Sequence, residues 1–259
     1  MTTNEIAAIS GKRMRGVMTP AASLVMISLL VFLGSLLSVK ACKLFVSSLL
    51  FESSTQTDEF FPVCAVIGII ELLLLCFPLY LNMKRWIVLL DNGFLPLRCA
   101  FSYFSSFTEY KKAFGFTSFR ALALFASVFI CFLPSSLLLT ILSKLSPESG
   151  LWLIVCFVLS AVLFLLGCFF CYYLIAGMFL SDYLFIEGQV SSPLKAIRLS
   201  FSMMHGHRFR LLCVIGYRIP YLLLSVFIVS LPLTLPIIES TFAVLAHDIL
   251  LTHQSESDA

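Results

Sequence analysis

The chain is 259 residues long, 60% hydrophobic and 12% charged, with a formal net charge of +3. A soluble domain carries about 25% charged residues, and a core of this size cannot hide so much apolar surface, so composition excludes an ordinary water-soluble globule and calls for lipid cover. The small total charge gives no reason to expect a nucleic-acid partner, whereas the placement of the basic residues is informative.

Residues 1–16 form a basic segment in which Ile6 and Ile9 precede Lys12, Arg13 and Arg15. No Asp, Glu, Lys or Arg occurs in the 24 residues between Arg15 and Lys40. A helix over 17–39 is long enough to cross a bilayer, which takes about 20 apolar residues. It exceeds the about 7–15 residues of a signal-peptide core and no A-x-A-like site follows, so it reads as retained. Glu52 to Glu59 brings three acids and no base. A second span is expected over 62–83, where Glu71 is the only charge. An amphipathic elbow over 97–117 joins Tyr103, Phe104, Phe107, Tyr110 and Phe114 to Lys111 and Lys112.

Charge then disappears for 23 residues between Arg120 and Lys144 and for 33 between Glu148 and Asp182, giving spans over 120–143 and 151–181. Ser192-Pro193 predicts a helix start and Gly206 its stop, an elbow helix over 193–206. Leu194, Ile197, Phe201 and Met204 share one face of it, and Lys195, Arg198, Ser202 and His205 another, at helical spacing. A fifth span is expected over 211–231. Two prolines four apart, Pro232 and Pro236, then predict a turn, with Pro236 opening a short helix over 236–251 along Ile238, Phe242, Leu245 and Ile249. That helix is either a sixth crossing or an outer-surface helix. Residues 253–259 are a polar tail. The runs are continuous rather than alternating, and only helices or closed barrels satisfy their backbone in lipid. The fold class is therefore all-α: a polytopic membrane protein whose single domain, 17–252, has five to six transmembrane helices with cytoplasmic elbows.

Fourteen of the 17 Lys and Arg residues fall in the N-terminal segment, between spans two and three, or between spans four and five and just inside the fifth; Lys40, Lys43 and Lys144 are the other three. Positive-inside then places the N-terminus and both basic loops in the cytoplasm. The organisation is three units of basic interfacial helix, helix, outside turn and helix.

The run Pro193-Leu-Lys-Ala-Ile-Arg-Leu-Ser-Phe-Ser-Met-Met-His-Gly-His-Arg-Phe-Arg-Leu-Leu resembles the signature of the bacterial membrane family catalogued as domain of unknown function 975, roughly "ALxxSxxLMxGHxxRLF". Ala196, Leu199, Ser200, Met203 or Met204, Gly206, His207, Arg210 and Leu211 lie on that pattern. Tyr183-Leu-Phe-Ile-Glu-Gly before it, Tyr103-Phe104 to Lys112 and the ending from Pro236 to Leu250 are also similar, though Ala246-His247-Asp248 stands where the family has an aromatic-acidic pair. The resemblance covers most of the chain from about Leu81. It implies a bacterial origin and this topology; the family has no established activity, so no mechanism follows from it.

An ionisable group inside a span is a functional hypothesis by default. Glu71 is one, either as a proton or substrate site or as the structural partner of Arg218. Cys168-x-x-Cys171 lies within an apolar span, where cysteines serve as small packers, and nine cysteines scattered through the spans make no disulfide framework. Asp182 and Glu187 read as solvated groups at the end of the fourth span. His205 and His207 diverge on a helix, no ligand spacing points to a metal, and there is no Walker loop, G-x-S-x-G or H-E-x-x-H. Neither an enzyme nor a cofactor is expected. Lys195, Arg198, Arg208 and Arg210 suit anionic lipid headgroups. The expected function is that of a non-enzymatic accessory, scaffold or lipid-interacting protein of the cytoplasmic membrane, with the bilayer, another membrane protein or a second copy as partner. The alternative is a small permease or exporter component using Glu71 and a fifth helix broken by Pro220 and Pro232.

Overall fold

The structure, a computed structural model, describes residues 1–49, 61–90, 97–144, 150–227 and 230–257; parts of these, Glu71 included, are described for the backbone alone. Among the described residues there are nine α-helices, one longer 3-10 helix and no strand. Three helical segments are long and apolar enough to cross a membrane: Phe107–Ile141, Ile154–Ile186 and Leu231–His253. Thr3–Met14 and Met18–Gly34, bent by 88° at their junction, make a fourth if read as one broken span. Contacts divide the chain into two compact units, Met1–Ser118 with Leu212–Ala259, and Phe119–Leu211.

The first unit opens with α1 (Thr3–Met14), started by a reciprocal cap. Thr2 N–H donates to the Glu5 carboxylate at 2.7 Å, and the Thr2 hydroxyl accepts from Glu5 N–H at 3.4 Å; two amides that an uncapped start would leave orphaned are thereby satisfied. Gly16, at φ +88°, takes a left-handed conformation that side chains disfavour and turns the chain into α2 (Met18–Leu49). The next helix, α3 (Phe61–Leu89), contains Pro78. A proline there has no N–H for the carbonyl four residues earlier, that of Leu74. The Tyr110 hydroxyl donates to that carbonyl at 2.8 Å. Asn82 Nδ2 in turn donates to the Pro78 carbonyl at 3.0 Å, and Asn82 Oδ1 accepts from Tyr103 N–H at 3.1 Å. One buried amide thus ties the 3-10 helix Leu97–Phe104 to α3.

The expected elbow over 97–117 is not one element. After the 3-10 helix the chain bends at Ser105, and α4 runs unbroken from Phe107 to Lys144. Phe107, Tyr110 and Phe114 of that segment therefore lie in the first turns of a long helix, whereas Tyr103 and Phe104 belong to the 3-10 helix.

The proline turn is corrected too. Helix α8 (Arg208–Leu224) ends seven residues before the expected limit of the fifth span, and α9 (Leu231–Ser257) begins five residues before Pro236. Pro232 occupies the first turn, where its missing N–H would have no helical partner anyway. Pro236 removes one bond, to the Pro232 carbonyl, which is a local loss rather than a break. Helix α9 is the centre of the first unit, packed by α1, α2 and α3. Ile238, Ala243, Val244, Leu245, Ala246, Ile249 and Leu250 are all buried, a broader face than the stripe predicted from spacing. Phe242 from that stripe is only half-buried.

In the second unit α5 (Gly150–Gly177) follows α4, and a tight turn leads to α6 (Ser181–Ile186). Gly167 lies so close to the Cys131 carbonyl of α4 that an added Cβ would sit 2.7 Å from its oxygen. The rings of Phe132 and Phe164 pack nearby at 5.2 Å, tilted by 41°. Small residues at such crossings let helix backbones approach where lipid supplies no hydrophobic drive. Helix α7 (Pro193–Met203) packs on both α5 and α6.

Candidate functional site

Helix α7 shows which residues of its sequence pattern are structural. Its buried face is Ala196, Ser200 and Met204, not the Leu194–Ile197–Phe201–Met204 stripe; Leu194 is 66% exposed. The Ser200 hydroxyl donates to the Gly177 carbonyl at 2.6 Å and accepts from Leu180 N–H at 3.0 Å. One side chain thus satisfies both backbone groups left over where α5 ends. Phe201 covers Gly177 so closely that a Cβ there would fall 2.4 Å from its ring. Gly206 takes φ +89°, ending the α7 turn before α8. His207, next to it, is half-buried.

The opposite face keeps Lys195, Arg198, Ser202 and His205 exposed. Arg208 is differently engaged: its guanidinium lies 3.5 Å over the Tyr173 ring and 5.7 Å from that of Phe201, and Tyr172 donates to its carbonyl at 2.5 Å. Arg210 is half-buried. The four bases grouped from the sequence therefore separate into two that are free in water and two that are packed.

Asp182 is not solvated. Its side chain is fully buried against the Arg120 guanidinium, itself 15% exposed. In the first unit Lys84 and Glu239 form a second buried pair at 3.7 Å, with the Lys84 ammonium 4.8 Å over the Tyr80 ring. Both pairs join residues remote in sequence.

The expected pairing of Arg218 with Glu71 falls outside the described residues, because the Glu71 side chain is among those not described. Arg218 itself is 5% exposed. Its Nε donates to the Thr241 hydroxyl at 2.9 Å and its Nη2 to the Ser10 hydroxyl at 2.7 Å. Thr241 and Ser10 are within hydrogen-bonding distance of each other at 3.2 Å, and their hydroxyls also reach the carbonyls of Ile237 and Ala7. The rings of Tyr221 and Tyr217 stand 5.2 and 5.6 Å from the guanidinium carbon. Among the described residues no carboxylate forms an ion pair with it. Sequence reading missed this setting, since Ser10 lies 208 residues away in a segment read as a basic interfacial helix.

Arg218 lines a cavity of about 510 Å³ between α1, α8 and the start of α9. Arg15 and Asn4 are its other conspicuously polar walls; Ala7, Met14 and Ile237 are among the apolar ones. Gly11 and Gly16 border it with open space where a Cβ would be.

No family model, curated protein or solved structure matches the chain.

Proposed function

We propose that the chain is an integral protein of the bacterial cytoplasmic membrane, of the family catalogued as domain of unknown function 975, acting without catalysis or cofactor as an accessory or scaffold that meets anionic lipid through α7. The observation that carries the membrane assignment is the outward face of α4 and α5. Their apolar windows have mean hydropathies of 2.3 and 2.9, yet only 6% and 17% of the residues are buried. Phe125, Phe129, Ile130, Phe157, Leu165 and Phe169 are each more than half exposed. In water such a surface aggregates, and a bilayer removes the penalty.

The basic residues support an inside N-terminus. Setting aside the buried Lys84, Arg120 and Arg218 leaves 14 − 3 = 11 bases on the inner side against three on the other. That order puts Lys84 at the inner end of α3. Its partner Glu239 lies only eight residues into α9, about 12 Å along the helix. Arg218, bonded to α1, leaves six residues of α8 beyond it, about 9 Å. A hydrocarbon core of about 30 Å is too thick for a hairpin of that depth to cross. The reading is therefore that α8 and α9 enter from the inside and turn back, in place of the fifth and sixth crossings expected from hydropathy. The uncharged tip agrees, since Val226 and Phe227 are 75% and 67% exposed.

Lys195 and Arg198 are the bases offered to headgroups. Each contributes about 1 kcal/mol of attraction to an anionic surface, so the two together correspond to roughly thirtyfold in affinity. Purified full-length protein titrated with a fluorescent anionic lipid at low salt should lose that factor when both are changed to Gln, and the loss should shrink as salt rises. Equal binding by the wild type and the double variant would remove the lipid role and leave these bases a topological one.

A further inference from the structure

We propose that the cavity walled by α1, α8 and the start of α9 binds an organic oxyanion, a phosphate or carboxylate carried on an apolar body, with Arg218 and Arg15 as its charge partners. The site is built from residues other than the α7 face and does not rest on that face's reading. Three observations carry it. Arg218 is 95% removed from solvent, since only 5% of it is exposed, and the two partners its guanidinium has among the described residues are neutral hydroxyls. Among the described residues no carboxylate pairs with it, and taking a guanidinium out of water costs several kcal/mol that a nearby opposite charge offsets, so an anion in the cavity lowers the free energy of the site. Among the described residues the two hydroxyls occupy Nε and one hydrogen of Nη2, and Nη1 with the second Nη2 hydrogen forms the edge that binds a carboxylate or phosphate bidentately.

The lining adds to this. Arg15 is the second cation on the wall, and no Asp or Glu is among the described lining residues. Tyr217 and Tyr221 brace the guanidinium by their rings, which restricts it without neutralising it. Size then selects among anions. A volume of about 510 Å³ is that of a small-molecule site and far exceeds inorganic phosphate. Ala7, Met14 and Ile237 supply an apolar wall for the remainder of the ligand.

The test uses the full chain in nanodiscs of neutral phosphatidylcholine, titrated calorimetrically with octyl phosphate, octyl glucoside or inorganic phosphate. Octyl phosphate is expected to bind one to one, at least a hundredfold tighter than inorganic phosphate, with octyl glucoside silent. Arg218→Lys should weaken it at least tenfold. Because Arg218 also supports the fold, two further variants keep the test sharp. Arg15→Gln changes an exposed residue and should weaken binding about tenfold, and Gly11→Leu should fill the cavity and abolish binding while the thermal midpoint holds. Phosphatidic acid in the discs separates the sources: competition identifies a lipid ligand, and its failure to compete identifies a soluble one. Equal binding of octyl glucoside, or octyl phosphate binding indifferent to Arg15→Gln and Gly11→Leu, overturns the proposal.

Discussion

At the scale of single residues, Asp182 with Arg120 and Lys84 with Glu239 are ion pairs inside the fold, and they make sharp predictions. Asp182 has no exposure and Arg120 little, so Asp182→Asn takes the opposite charge away from a largely buried guanidinium. Removing one partner of a buried pair costs about 3–5 kcal/mol, whereas removing both is far milder. Denaturant titration in detergent should show Asp182→Asn strongly destabilised and Arg120→Gln with Asp182→Asn recovering most of the loss; additive losses would contradict the pairing. The same logic covers Lys84 and Glu239. None of this was legible beforehand, because a charge 62 residues from its partner carries no local sign of being paired. Asp182 at the end of an apolar run reads as solvated for the same reason that most such residues are. Arg218 was legible as a buried cation, but its partners Ser10 and Thr241 look like ordinary helix residues in the sequence.

At the scale of elements, the long apolar helices were read from charge-free runs, and their failures have identifiable causes. The proline rule was applied without regard to position: Pro232 lies in the first turn of α9, where it costs nothing, so the turn moved back to follow Leu224. In α7 the start and stop were visible as Ser192-Pro193 and Gly206, but the buried face was not. Large apolar residues marked one stripe; the structure buries Ala196 and Ser200, because a close crossing selects smallness over hydrophobicity. Ser200→Ala should therefore cost about 2 kcal/mol, since it orphans the buried Leu180 amide. An undiminished unfolding midpoint would show that water replaces the hydroxyl. The Pro78 site gives a cleaner cycle. Tyr110→Phe should cost about 1 kcal/mol through the freed Leu74 carbonyl, and less in a Pro78→Ala background, where the N–H gained with the alanine restores the helical bond. Equal costs in both backgrounds would deny the compensation.

At the scale of the whole molecule, each of the two units has its own buried ion pair. The depth argument for α8 and α9 predicts an apolar tip that neither aqueous side reaches. With the native cysteines replaced, Val226→Cys should resist a membrane-impermeant maleimide in intact cells and in inverted vesicles alike. Labelling from outside would restore a full crossing. Composition made the need for lipid legible, because 60% apolar residues have nowhere else to go; hydropathy records the length of a helix and not the depth at which Glu239 meets Lys84, so by itself it does not separate a crossing from the re-entrant hairpin proposed for α8 and α9.

The most direct measurement of the central claim, a bilayer protein with its N-terminus and basic segments inside, is cysteine accessibility across the chain in intact cells. Single cysteines at Thr55 and Ser146 should react with the impermeant reagent from outside, and those at Ser106 and Ser191 should react only after the membrane is opened. Outside labelling at Ser106 and Ser191 with protection at Thr55 and Ser146 would invert the orientation, and recovery of the unlabelled chain in the soluble fraction of lysed cells, cleared of membranes, would contradict the bilayer assignment itself.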